Sequence, residues 1–430
     1  MVRRRGLPRG AVLVVLAIVA TSCAFIRPGP GGKPGLILSV SPPGAGGAQV
    51  LDVTAPSAPG GLAAGIEVHA DLPGGPIVAS GSALPLHVNL DDRALRRGPH
   101  VLFATARPTQ QRPLRGLGVF TKALRLNQLQ AVGTHNSYHV TPTEEPWASV
   151  EPWQVTMSPL ATQLEDEGVR QFELDVNTGP GGFAVFHVPV VDPLTTCLAL
   201  TDCLRAINDW SNAHPSHAPI AVLLELKDND LHFDVPYGFW GAPDLEKLDT
   251  EIRSVFSERH MFTPDDLRRA HATLPEAIAA DGWPTIDSVR GQVMFLMDNS
   301  GTLRNQYRAG HPGLQGRVIF TNAVPGDDDA AFIKRNDPLT QSAEIQSLVA
   351  QGYVVRTRTD VDAVEARAND THQRDVALAT GAQWVSTDFP VAGRAFGTPY
   401  FVALPGGTPD RCNPINAPTW CTSRLIEALP

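Results

Sequence analysis

The sequence predicts an α/β protein in which an irregular (β/α)8 TIM-type barrel is preceded by a small all-β, immunoglobulin-like domain. From about residue 120 onward, apolar strand-like runs alternate with helical segments, an order typical of a parallel sheet that is open or closed into a barrel. Before that point, short alternating runs rich in Gly, Pro, Val and Ala show no helical periodicity of useful length. Polar residues follow most strands of the second region, at the C-terminal strand ends where α/β barrels carry their catalytic and ligand-binding residues.

The N-terminal region is interpreted as a small β-sandwich over residues 37–112. Alternating runs at 65–70 and 84–90 and a further strand at 101–106 are separated by turn signals such as Arg97-Gly98-Pro99-His100. Nothing in this region indicates catalysis, so we interpret it as a spacer or a binding module.

The barrel is assigned to residues 120–395. The predicted strands are 126–132, 171–176, 220–226, 293–297, 318–320, 353–356 and 384–386. The predicted helices include 160–167, 204–213, 245–256, 274–279, 345–351 and 364–379. These strands leave an eight-stranded barrel one strand short or irregular. Residues 396–430 are predicted to form a C-terminal extension stapled by a disulfide.

Residues 1–23 have the pattern of an export signal. A basic start precedes an apolar run at 11–21 that is too short to span a bilayer. The run ends in Ala20-Thr21-Ser22-Cys23, which resembles a bacterial lipoprotein cleavage box with Cys23 as the lipidated residue. Because Ala20 stands where such boxes usually have Leu, a plain signal peptide is the alternative. Residues 24–36 are predicted to be a flexible linker.

Cysteine spacing and net charge limit the class of protein. Four of the five cysteines form two close pairs, Cys197 with Cys203 and Cys412 with Cys421, and two short disulfides are the simplest pairing in an exported protein. Free thiols or a zinc site are the alternatives, although no Cys-x-x-Cys spacing occurs. The net charge of −9 argues against a general nucleic-acid binder and is compatible with cation binding.

The stretch Gly133-Thr134-His135-Asn136-Ser137-Tyr138-His139 is interpreted as the loop at the C-terminal end of the first barrel strand. The imidazole of His135 supplies a proton-transfer group near neutral pH, and the amide oxygen of Asn136 can ligate a hard cation. A His-Asn pair is weak evidence alone, so the interpretation depends on the other strand ends. His139 is interpreted as a structural residue.

Two later strands carry charged residues at i and i+2, which share one face of a strand. Glu173 and Asp175 lie in an otherwise apolar run, where paired carboxylates are costly unless a positive group joins them. A divalent cation or a salt bridge to arginines would meet that need. Glu225 and Lys227 repeat the spacing, either to neutralise each other or to serve as a metal ligand and a phosphate contact.

Further polar residues follow the remaining strands. His187 comes after the apolar run 182–186, and later strands end in Asp298-Asn299, in Arg356 with Arg358, and in Asp388. Each of these, taken alone, is as readily structural. Together, the oxygen donors Asn136, Glu173, Asp175 and Glu225 predict a site for a hard divalent cation, with Ca²⁺ favoured, and leave the histidines free for proton transfer.

In these residues the chain resembles the calcium-dependent phosphoinositide-specific phospholipase C family, in its secreted bacterial form. The resemblance covers roughly residues 120–395 and none of the N-terminal sandwich. The matching motifs are Asn127-Gln128-Leu129-Gln130 with Gly133-Thr134-His135-Asn136-Ser137-Tyr138-His139, Phe172-Glu173-Leu174-Asp175, Phe186-His187, Leu224-Glu225-Leu226-Lys227, Gly352-Tyr353-Val354-Val355-Arg356-Thr357-Arg358 and Thr387-Asp388-Phe389-Pro390.

The resemblance implies an enzyme that cleaves phosphatidylinositol-type lipids to diacylglycerol and a cyclic inositol phosphate with Ca²⁺ as cofactor. The inositol 2-hydroxyl would attack phosphorus while His187 protonates the leaving alkoxide. His135 would stabilise the phosphorane or accept the attacking proton, and a calcium-bound carboxylate is the rival base. The calcium ligands implied are Asn136, Glu173, Asp175 and Glu225, and the implied substrate contacts are Lys227, Arg356 and Arg358.

The expected partner is inositol phospholipid in a membrane, reached by a monomer that is exported as a surface lipoprotein or secreted. Two alternatives remain open. One is a glycerophosphodiester phosphodiesterase or phospholipase D-like barrel, although those usually open with His-Arg-Gly where this chain has His135-Asn136-Ser137. The other is a surface lipoprotein whose barrel binds inositol lipids or glycans without catalysis.

Overall fold

The computed structural model describes residues 35–41, 50–55, 62–90, 95, 98–108, 113–122, 124–228 and 234–427. The predicted signal peptide, its Cys23 and most of the predicted linker lie outside the described residues. None of the helices in the described ranges has the length and apolar character needed to cross a bilayer.

Two antiparallel sheets form the N-terminal region and confirm the predicted all-β domain. The strands are β1 (Ile37–Ser41), β2 (Val50–Thr54), β3 (Leu62–Ala70), β4 (Ile77–Gly81), β5 (Leu86–Asn89), β6 (Gly98–Pro108) and β7 (Leu114–Lys122). One sheet has the order β1-β2-β5 and the other β4-β3-β6-β7. Alternate apolar side chains of both sheets, such as Leu51, Val53, Val68 and Leu102, are fully buried in a core of their own.

Strand β7 carries the second sheet past the predicted boundary at residue 112, because it pairs with β6 as far as Lys122. The sequence pattern does not predict this strand, because Gly116 and Gly118 interrupt its alternation of apolar and polar residues. A Cβ atom at Gly116 would lie 2.5 Å from the carbonyl oxygen of Leu36, so close strand packing requires the missing side chain.

The second region is a nearly closed barrel of eight parallel strands, as the sequence predicts. The strands are β8 (Leu129–Thr134), β9 (Gln171–Gly179), β10 (Gly182–Val185), β11 (Ile220–Leu226), β12 (Val293–Met297), β13 (Ile319–Phe320), β14 (Phe332–Lys334), β15 (Val354–Arg358), β16 (Trp384–Thr387) and β17 (Asp410–Cys412). The barrel order is β13-β12-β11-β9-β8-β16-β15-β14, and a bridge between Asn322 and Phe332 links the two end strands. A hairpin strand, β10, pairs antiparallel with β9, and a short strand, β17, pairs with β8.

The helices differ from the predicted ones mainly in their ends. The predicted helix 364–379 is two helices, because Asn369 adopts a left-handed conformation between them. The helices are α1 (Leu160–Glu165), α2 (Leu200–Ala213), α3 (Ala242–Val255), α4 (Pro264–Arg268), α5 (Leu274–Ala280), α6 (Gly301–Arg308), α7 (Pro338–Ala350), α8 (Val364–Ala368) and α9 (His372–Ala379).

The C-terminal segment covers the N-terminal end of the barrel. Strand β17 pairs antiparallel with the first half of β8, and Glu427 forms a buried ion pair with Arg170. Both predicted disulfides are present, Cys197–Cys203 and Cys412–Cys421. The βα loops therefore stand at the opposite end, where the polar strand-end residues gather.

Candidate active site

The loop after β8 is fixed to both neighbouring strands. The backbone N–H of His135 donates to the carbonyl of Thr387, and the N–H of Ser137 donates to the carbonyl of Glu173. The Ser137 hydroxyl in turn accepts from the N–H of Glu173 at 2.8 Å. A Cβ at Gly133 would lie 2.9 Å from the Cβ of Gln171, so the close approach of β8 to β9 favours glycine there. His135 and Asn136 are thus held at the mouth of the barrel.

The ring of His135 has one orientation and one tautomer. Its Nδ1 lies 2.8 Å from a carboxylate oxygen of Asp388, so this nitrogen donates its proton. Its Nε2 lies 3.3 Å from a guanidinium nitrogen of Arg358, which can only donate, so Nε2 accepts. Burial and the charge of Arg358 lower the pKa of His135 well below its ordinary value. The ring is therefore neutral, with Nε2 as its unprotonated nitrogen.

Three carboxylates meet beside this histidine. Glu173 and Asp175 share one face of β9, and Glu225 lies next to Asp175 in the register with β11. Oxygens of all three lie within 4.8 Å of one another. Burial, with the negative charge of Glu225, raises the pKa of Asp175 to about 7. Additional positive charge at the cluster would favour the ionised form of Asp175 at neutral pH.

The donor set fits calcium. Among the described residues, Oδ1 of Asn136 and both carboxylate oxygens of Asp175 are buried without a hydrogen-bond partner. Asn136 has φ of 42°, a left-handed conformation that asparagine tolerates. All the candidate ligands are oxygens, which hard cations prefer. These buried oxygens without a hydrogen-bond partner are therefore suited to coordinate a cation.

Two basic residues touch the same carboxylates. Lys227 Nζ lies 3.0 Å from Glu225 and 3.2 Å from Asp175, so it is engaged at the cluster. Arg356 is buried and donates to Glu173, and also to Asn336 and to Ser386. Its position beneath Glu173 favours a role in holding that carboxylate over contact with a head group. Arg358 lines the open cavity instead.

The second histidine, His187, stands beyond the β9–β10 hairpin. Its Nδ1 lies 2.7 Å from Asp192, which is fully buried. Asp192 also accepts from the ring of His139. Asp192 was not predicted and His139 was interpreted only as a structural residue, because contacts between separate loops leave no periodic signal in the sequence.

Both catalytic candidates face one cavity of about 170 Å³. His135 and Arg358 line it together with His187 and Trp153. A proton acceptor and a second imidazole thus border the same space, next to the carboxylate cluster. This arrangement suits in-line displacement at a phosphodiester, which needs a base, an acid and a positive charge at the equatorial oxygens.

The family model described as "Phosphoinositide phospholipase C, Ca2+-dependent" matches residues 124–184 and 177–414 of the chain. The chain belongs to this family. It is therefore a phosphoric diester hydrolase of the phospholipase C type with Ca²⁺ as its cofactor and an inositol lipid as its substrate class. The two disulfides of this phospholipase C are consistent with export. A search of curated proteins finds no match.

Two bacterial phospholipases C are among the solved structures that are similar to this chain. The Ca²⁺-dependent phosphatidylinositol-specific phospholipase C of Streptomyces antibioticus is 20% identical, covers 62% of this chain and 96% of its own, and has a TM-score of 0.45. An apo calcium-dependent phosphoinositol-specific phospholipase C from a Pseudomonas species is 17% identical, covers 67% and 96%, and has a TM-score of 0.44.

Proposed function

We propose that the protein cleaves phosphatidylinositol-type lipids to diacylglycerol and a cyclic inositol phosphate. The observation that carries this proposal is the pair of histidines, His135 and His187, on one cavity beside the carboxylate cluster. Intramolecular attack by the inositol 2-hydroxyl needs one proton acceptor and one proton donor on the two sides of the phosphorus. The two imidazoles supply them without a change of position.

His135 is the base in this mechanism. Its neutral ring accepts the proton of the 2-hydroxyl at Nε2 as the new P–O bond forms, while Asp388 holds Nδ1–H and stabilises the resulting imidazolium. His187 is the acid. It donates from Nε2 to the glycerol oxygen as the old P–O bond breaks, because its Nδ1 is already engaged with Asp192.

Asn136, Glu173, Asp175 and Glu225 would hold the calcium ion. When bound, the ion supplies positive charge that offsets the charge of the phosphorane oxygens and lowers the pKa of a coordinated hydroxyl. Arg356 keeps Glu173 in place, and Lys227 and Arg358 are the residues proposed to contact the phosphate or the head group.

Membrane access is proposed to come from the sequence ahead of the described residues. A signal peptide of lipoprotein type over residues 1–23, with Cys23 lipidated, would place a monomer on the cell surface. The N-terminal sandwich is a candidate for a second contact with the membrane.

Release of diacylglycerol from phosphatidylinositol vesicles, with and without a calcium chelator, tests the proposal. We expect calcium-dependent release together with a 1,2-cyclic inositol phosphate detected by phosphorus NMR. Release that is unchanged by the chelator would overturn the calcium assignment. Cleavage of glycerophosphodiesters without cleavage of inositol lipids would overturn the lipase assignment.

A further inference from the structure

Asp192 accepts hydrogen bonds from two imidazole rings at once. Its carboxylate lies 2.9 Å from Nε2 of His139 and 2.7 Å from Nδ1 of His187, and its side chain is fully buried. An ionised carboxylate has no proton to donate, so both ring nitrogens carry hydrogen. Burial opposes ionisation of Asp192, but the hydrogen bonds from His139 and His187 outweigh it and lower the pKa of this carboxyl.

His139 is the positively charged member of this hydrogen-bonded group of three side chains. Its other nitrogen, Nδ1, lies 2.7 Å from the carbonyl oxygen of Val155, which also can only accept. Both ring nitrogens must therefore donate, and the ring carries a positive charge. Burial opposes that charge, but the hydrogen bond and the negative charge of Asp192 outweigh it and raise the pKa of His139.

The backbone fixes Asp192 in this position. Val188 and Asp192 exchange both of their backbone hydrogen bonds, at 3.1 and 3.0 Å, which turns the chain back over His187. The segment that follows pairs with the loop of His139, since Thr196 donates to Tyr138 and Val140 donates to Leu194. Asp192 is thus held between the two histidines by main-chain contacts on both sides.

We propose that Asp192 and His139 are positioning residues for His187. Together they hold Nδ1 of His187 as a donor and leave Nε2 directed to the cavity, and His139 supplies the counter-charge that allows a buried carboxylate to do this. The inference rests on the proposed role of His187 as the general acid. It assigns a function to two residues that lie outside the calcium site and do not touch the reacting atoms.

A pair of substrates with different leaving groups tests the positioning role. A glycerol alkoxide must be protonated as it leaves, whereas p-nitrophenolate leaves without a proton, so only the first reaction depends on the acid. For Asp192→Asn and His139→Gln we expect kcat on phosphatidylinositol to fall about 10- to 100-fold with KM little changed. We expect kcat on p-nitrophenyl inositol phosphate to change less than about threefold, since that reaction needs no proton donor.

Two comparisons separate failure of this inference from failure of the proposed function. His187→Ala should show the same leaving-group dependence in a stronger form, and equal losses on both substrates would overturn its role as the acid. If His187→Ala shows the leaving-group dependence but Asp192→Asn and His139→Gln lose activity equally on the two substrates, Asp192 and His139 are merely structural. His139→Gln keeps one donor and serves if Asp192→Asn does not fold.

A matched control is His217→Gln at the other end of the barrel. His217 is also buried, and its ring bonds to the Ser211 hydroxyl and the Ala218 carbonyl. Its substitution should change stability without altering the ratio of the two kcat values.

Discussion

Both ends of the barrel contain buried carboxylates, but the hydrogen bonding of these carboxylates differs between the two ends. At the N-terminal end, Glu427 accepts two hydrogen bonds from Arg170, at 2.9 and 2.6 Å, and one from the backbone of Ala218. At the C-terminal end, Asp175 forms an ion pair with Lys227 at 3.2 Å, but neither of its oxygens has a hydrogen-bond partner among the described residues. Burial acts to raise the pKa of both carboxyls. For Glu427 the charge of Arg170 outweighs burial and lowers the pKa to about 2. For Asp175 the pKa rises to about 7.

The difference separates structural acids from functional ones. A carboxylate whose oxygens are all satisfied by the protein stabilises the fold, and it has no capacity left for a ligand. At the C-terminal end of the barrel, the carboxylate oxygens of Asp175 lack hydrogen bonds and so remain able to coordinate a cation.

The largest effect expected at the C-terminal end is the loss of the base. His135→Ala should lower kcat on phosphatidylinositol about 10³-fold, because it removes the group proposed to accept the 2-hydroxyl proton. The free energy of unfolding should change little. Steady-state kinetics and urea unfolding on the same preparation check both statements, and near-full turnover would remove His135 from the mechanism.

Glu427→Gln makes the opposite prediction for the N-terminal end. It removes the carboxylate that forms the ion pair with the buried guanidinium of Arg170, so the free energy of unfolding should fall by about 3–5 kcal/mol. The kcat of the folded fraction should be unchanged, since the site lies at the far end of the barrel. A stable variant with impaired turnover would contradict the division between the two ends.

The pH dependence of stability probes the same end through His217. Burial lowers its pKa to about 4 from an unfolded value near 6.5, so the unfolded chain binds more protons between these values. Its contribution is complete above pH 6.5 and is lost as the pH falls towards 4, a change of about 3 kcal/mol. Unfolding free energies measured across this range should show a shallower slope in His217→Gln than in the wild type.

The smallest effect expected is a gain of stability in the absence of calcium. Asp175→Asn removes one of three clustered negative charges, and it should stabilise the calcium-free protein by about 1 kcal/mol. Thermal unfolding in a chelator checks this. Destabilisation by several kcal/mol would show that Asp175 is a structural acid like Glu427.

Much of the fold was predictable because the barrel strands are strongly apolar. The predicted strands at 220–226 and 293–297 have the bounds of β11 and β12, since both are buried runs with clear ends. Strand β14 was missed because its three residues are too few for a periodic signal. Strand β7 was missed because of its glycines.

The candidate site was predictable where a single strand or loop carries the signal. The i, i+2 carboxylates and the His-Asn loop lie at strand ends and could be placed by topology alone. The partnership of His139 with Asp192 joins two loops separated by 53 residues, and no local pattern encodes it. Arg356 was expected at the substrate, and its burial under Glu173 became visible only in three dimensions.

Calorimetric titration of Ca²⁺ into the wild type, Asp175→Asn and Glu427→Gln tests the central claim most directly. We predict that the wild type and Glu427→Gln bind one ion with similar affinity, and that Asp175→Asn binds at least about 100-fold more weakly, a loss of roughly 2.7 kcal/mol. Binding of equal strength in Asp175→Asn, or no binding in the wild type, would contradict the assignment of the orphaned oxygens to calcium.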